Sequence, residues 1–178
     1  DRPEESGRLL AKLYSTHAVP ASVELDNVYR SDAATNLLAC AAEIEAAWST
    51  LAPQREIMRQ LSEFDGVADF TMKGRAASLF EVPYPRWIAL RAIAQTYAYK
   101  ARLQAAKDQP DAAATTIVES ERFVRNTLPF AHSLALKMAL LAMSHLNAGV
   151  AQEIIRHPAC SKETLKKLAE RFAPLSKP

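Results

Sequence analysis

The stretch HSLALKMALLAM, His132 to Met143, places one ammonium, Lys137, among apolar residues that otherwise run unbroken from Leu134 to Met143. In a helix, Leu134, Lys137, Met138 and Leu141 share one face, and Leu136, Leu140 and Met143 form the opposite one. A helix apolar on both sides is expected at the centre of its domain. An unpaired ammonium there would cost several kcal/mol or lose its proton. Lys137 is therefore expected to be buried and paired with a carboxylate, Glu119 or Glu121 first, on the preceding helix. Two other arrangements stay open: the amine snorkels to water, or it meets a ligand.

Arg122 and Arg125 are three residues apart, which suits a two-armed anion clamp. The commoner arrangement for such a pair is a solvated or ion-paired helix face. Tyr84, Trp87 and Arg91 lie at helical spacing and could rim a groove, although aromatic residues so placed more often fill cores and helix ends, as do Tyr97 and Tyr99. The candidate ligand-binding residues are thus Tyr84, Trp87, Arg91, Arg122, Arg125 and Lys137. The histidines, His17, His132, His145 and His157, form no HExxH motif and have no carboxylate at zinc-ligand spacing. His145 continues the Leu141 and Lys137 stripe, so a core position is expected. Cys40 and Cys160 match no metal motif, and a free thiol on an apolar helical pattern is the common fate of such residues. A disulfide between them stays open for an oxidising compartment. No nucleophile elbow or phosphate-cradling glycine loop is present. No catalytic residue, metal or cofactor is expected.

The chain has 178 residues, 49% hydrophobic and 24% charged, with a formal net charge of +2. That suffices for one core and offers no strong field to nucleic acid or anionic membrane. Lys162, Lys166 and Lys167 make only a weak basic patch, so no nucleic-acid partner is expected. No uninterrupted apolar run reaches the roughly 20 residues of a bilayer span. The opening DRPEESGRLL lacks a basic start and an apolar segment, so it is not a signal peptide. An opening without Met suggests that something upstream was removed.

The elements that must position these residues are helical. Glycine is scarce, strand alternation is absent, and apolar residues recur at three- and four-residue spacing. Helices are expected over about 4–16, 33–49, 53–64 (with Pro53 in its first turn), 85–107, 110–127, 132–149, 151–156 and 161–172. Asp108 is expected to cap the helix that has Pro110 and Asp111 in its first turn, Pro129 to close that helix, and Ser161 to cap the last one. Residues 17–32 read as a loop, 65–74 as a connector whose Phe70 and Met72 must dock, and the residues after Pro174 as a frayed end.

Residues 98–123, AYKARLQAAKDQPDAAATTIVESERF, resemble a tetratricopeptide-type hairpin. They carry small residues before the KDQPDA turn and alanines after it, with no second copy at a period of about 34 residues. A wider resemblance rests on NVY (Asn27–Tyr29), PYPRWIALRA (Pro83–Ala92), ERFVRNTL (Glu121–Leu128) and SLALKMALLAM followed by HPACSKETL. These are similar to a family of uncharacterised proteobacterial envelope proteins with one N-terminal membrane anchor and an exported helical domain. Val124 departs from the more aromatic residue usual in that family. The resemblance implies a periplasmic location at the inner membrane, with membrane contact only through an anchor upstream of residue 1. It implies no activity.

The expectation is an all-α protein, an irregular bundle of seven to nine helices with a tetratricopeptide-like hairpin. One domain is expected over 1–178, with N-terminal helices and connectors over 1–82 and a more regular core over 83–175. The expected function is a non-enzymatic interaction domain that binds a protein or peptide partner. The alternatives are an immunity protein against an envelope-acting toxin, and a small-ligand carrier or cryptic enzyme centred on Lys137.

Overall fold

Alanine and leucine at helical spacing, with prolines at first turns, produce a chain of helices linked by tight turns. The computed structural model describes residues 2–15, 34–64, 87–131 and 134–173. Among these, eight α-helices and one 3-10 turn form an all-α bundle without strands. They are α1 (Arg2–Ser15), α2 (Ala34–Ala39), α3 (Ala41–Thr50), α4 (Ala52–Leu61), α5 (Trp87–Ala106), α6 (Pro110–Thr127), a 3-10 turn at Leu128–Phe130, α7 (Leu134–Ile155) and α8 (Lys162–Phe172). The loop over 17–32, the connector with Phe70 and Met72, and the last residues lie outside the described residues.

Two expected boundaries differ. The single helix over 33–49 is two helices, because Cys40 leaves helical backbone at φ −97° and ψ 19°. A second break at Leu51 separates α3 from α4. The breaks let Ile44 and Ala47 of α3 pack on Tyr99 and Leu103 of α5, while Ile57, Met58 and Leu61 of α4 enter the main core. Conversely, the expected break near Gly149 does not occur, and α7 runs on to Ile155. One glycine inside a helix costs only about 1 kcal/mol. The flanking Met143, Asn147, Val150 and Ile154 are all buried, and their packing holds the turn.

The turn between α5 and α6 also departs from expectation. Asp108 does not cap α6; it sits at φ 56° and closes α5. Its N–H bonds Ala105 O at 2.9 Å, and Gln109 N–H bonds Gln104 O at 2.9 Å, which is a Schellman ending. Aspartate is among the few residues that tolerate this left-handed backbone. Gln109 becomes the cap residue, without a side-chain bond, and Pro110 opens α6. Ser161 does cap α8, accepting from Thr164 N–H at 3.1 Å.

Helices α5, α6 and α7 pack on one another at the centre. Ala98 and Ala101 meet Ala113, Ala114 and Ile117, so small side chains set the contact near the α5–α6 turn. Larger residues fill the other end: Leu90, Ile93 and Tyr97 with Phe123, Leu136, Leu140 and Met143. Helices α1 and α4 add Leu10, Leu13, Met58 and Leu61 to that end, and α8 adds Leu168 to the alanine-rich end.

Candidate functional site

Helix α7 has two apolar faces, and only one is covered. Leu136, Leu140 and Met143 are buried as expected. Leu134, Met138 and Leu141 are 73%, 62% and 55% exposed. Lys137 lies among them and is exposed, so its expected burial and pairing with Glu119 or Glu121 are both corrected. His145, on the same stripe, is exposed and not in the core. The physical reason is that α5 and α6 both pack on one side of α7, leaving its other apolar side to water. By length and composition α7 could span a bilayer, at a mean hydropathy of 1.3 despite its polar residues, with 33% of that window buried inside the bundle.

The carboxylates expected for Lys137 have other partners. Glu119 Oε1 accepts from the Tyr97 hydroxyl at 2.7 Å. Burial first, and the adjacent Glu119 carboxylate second, push the Tyr97 phenol well above its ordinary value. Glu121 is 1% exposed, and both of its oxygens accept hydrogen bonds. Its Oε1 accepts from Arg125 Nε at 3.0 Å and Ser144 Oγ at 2.9 Å, and its Oε2 from Asn147 Nδ2 at 3.0 Å. Ser120 Oγ donates to Asn147 Oδ1 at 3.1 Å. Sequence reasoning missed Ser120, Ser144 and Asn147. One signal was present: Asn147 falls four residues after Met143, on the buried stripe, where a polar residue needs a partner.

This network also splits the expected arginine clamp. Arg125 turns inward onto Glu121, while Arg122 is exposed and lines a cleft of about 670 Å³ between α4, α6 and α8. Arg59, Lys167 and Arg171 are the other cations of the cleft, and Glu63, Glu119 and Glu170 are its carboxylates. Asn126 Nδ2 holds the cleft's α4 wall by donating to Ser62 O at 2.8 Å and Phe64 O at 3.1 Å. Asp111 holds the α8 wall, accepting from the hydroxyls of Ser161, at 3.0 Å, and Thr164. Those hydroxyls hold the Asp111 carboxyl below its ordinary value, the Thr164 bond contributing most.

Of the proposed aromatic groove rim, Tyr84 and the Trp87 side chain lie outside the described residues, and Arg91 is exposed on α5. Tyr97 and Tyr99 are buried. The Tyr97 ring meets Trp48 edge-on, with centroids 5.0 Å apart, and the Arg55 guanidinium covers the Trp48 ring at 3.9 Å.

Among the described residues no group of three or more histidine, cysteine or carboxylate side chains could hold a metal ion. Cys40 and Cys160 are free and half-buried. No protein family model, curated protein or solved structure matches the chain.

Proposed function

We propose that the chain is a non-enzymatic helical interaction domain that binds a protein partner on the open face of α7. The observation that carries this reading is the exposure of Leu134, Met138 and Leu141, spaced by four and three residues around Lys137. That spacing is the seam one helix presents to another. Large apolar residues grouped on one exposed helix face mark interaction surfaces more often than they serve a monomer. The lysine defines the occupant: an amphipathic helix with apolar anchors and a carboxylate set to meet the ammonium. The tetratricopeptide likeness of the α5–α6 hairpin agrees with a binding role. An envelope location and an upstream anchor complete the proposal, and they rest on the family resemblance of the quoted motifs.

The test is site-specific photo-crosslinking from position 138 in the intact protein in its native cells, with position 162 on α8 as the control. A heterologous helix should be captured from 138 and not from 162. Lys137→Glu should abolish capture, and reversing the matching acidic residue on the partner should restore it. Capture of a second copy of this chain alone, of lipid alone, or of a partner indifferent to Lys137→Glu would sink the proposal.

A further inference from the structure

We infer that the cleft between α4, α6 and α8 is a second binding site, for a small organic ligand bearing a doubly charged oxyanion, held by Arg122 and Arg171. The charged groups that line the cleft differ in whether they already have partners. Arg59 donates to Glu56 at 2.7 and 2.9 Å and also pairs with Glu63. Glu119 accepts from the neutral Tyr97 hydroxyl and keeps its charge. Glu170 faces Lys166 at 3.9 Å, and Lys167 Nζ donates to Thr115 Oγ1 at 2.9 Å. That hydroxyl is neutral, so Lys167 also keeps its charge; Arg122 and Arg171 are the guanidiniums of the cleft without a partner. Among the described residues neither makes an ion pair or hydrogen bond, although Arg171 is half-buried.

The cleft's cations without an ion pair, Arg122, Lys167 and Arg171, outnumber its carboxylate without one, Glu119, and the two guanidiniums, on different helices, repel each other. Burial lowers the Arg171 pKa, and the charges of Arg122 and Arg125 lower it further, with only the buried Glu121 opposing them. A folded protein gains nothing from that arrangement by itself. An oxyanion placed between the two resolves it, because each guanidinium offers a planar fork of donors to carboxylate or phosphate oxygens. The room available, about 670 Å³, exceeds a bare ion and leaves space for an organic body beside Val118 and Thr115. Phosphate esters and dicarboxylates share the required chemistry. The site is independent of the α7 face, so either can fail without the other.

Thermal unfolding and calorimetric titration of the whole chain with phenyl phosphate and with succinate test the inference and separate the two sources. The expected result is saturable binding and a raised Tm for at least one probe, weakening as ionic strength rises. Arg122→Gln and Arg171→Gln should each weaken binding by about tenfold or more, while Arg171→Lys retains part of it. Without anion, both glutamine variants should melt at or above the wild-type temperature, since each removes a repulsion. Lys162→Gln, outside the cleft, should bind as wild type. No response to either probe overturns the inference. So does a response unchanged in both glutamine variants, or an anion-free loss of Tm in Arg171→Gln with affinity intact, which would make Arg171 a structural residue.

Discussion

Asn147 on α7 donates a hydrogen bond from Nδ2 to Glu121 Oε2 on α6 at 3.0 Å, and both residues are buried. The pair ties the two central helices at one register. A buried carboxylate that loses a donor keeps its full desolvation cost. Asn147→Leu also strands the Ser120 hydroxyl. It should cost about 2–3 kcal/mol in urea unfolding. In a Glu121→Met background, where the carboxylate is already gone, Asn147→Leu should cost less, as a double-mutant cycle would report. Additive losses would show that the two side chains are not coupled.

Adjacent residues on α7 should respond very differently. Leu140 is buried in the main core and Leu141 faces water. Leu140→Ala should cost about 2–5 kcal/mol, by lost transfer energy and the cavity left behind. Leu141→Ala should stay within about 0.5 kcal/mol. Equal losses in chemical denaturation would mean that α7 is rotated about its axis relative to the arrangement described.

Lys137 should behave as a surface amine. Lys137→Met is expected to change stability by less than about 0.5 kcal/mol. In the free protein its amine should be acylated as fast as the exposed Lys162. Protection that disappears only on unfolding would return the lysine to the interior.

The cap of α8 offers a local test. Ser161→Ala removes the acceptor for Thr164 N–H and should cost about 1 kcal/mol. Ser161→Asp would keep an acceptor for that N–H but set a second carboxylate beside Asp111. It should therefore restore less than Ser161→Thr. Thermal melts of the three variants give the order directly.

Acid should loosen α3 from α5 through Glu45. Its carboxyl lies below the ordinary 4.5, chiefly through the hydrogen bond from Lys100 Nζ at 2.6 Å, with Lys107 adding a smaller effect. A value lower in the folded than in the unfolded chain means stability present above about pH 4.5 and lost as pH falls through the lowered value. Glu45→Gln should flatten the acid limb of a Tm-against-pH curve. Because the Glu45 side chain is 42% exposed, high salt should shrink the difference. An acid limb identical in variant and wild type would show that the pair contributes nothing.

Local chemistry determined a good part of this protein from the residues alone. Helical spacing and scarce glycine led to an all-α bundle, and prolines with Ser161 located several helix starts, because these effects act within a few residues along the chain. Leu136, Leu140 and Met143 were legible as core for the same reason. The buried side of α7, the partner of each charged group and the shape of the cleft depended on tertiary packing. Leu134, Met138 and Leu141 are as apolar as the stripe that is buried, and nothing in their order tells which side α5 and α6 will cover. Glu121 could serve Lys137, Arg125 or Asn147 by type alone. Only the rotation of α6 against α7 brings Asn147 and Ser144 within hydrogen-bonding distance of it and leaves Lys137 in water. The cleft needs Arg122 and Arg171, far apart in the chain, to line one space. Helix propensity is a property of neighbours in sequence, whereas burial and charge pairing belong to neighbours in space.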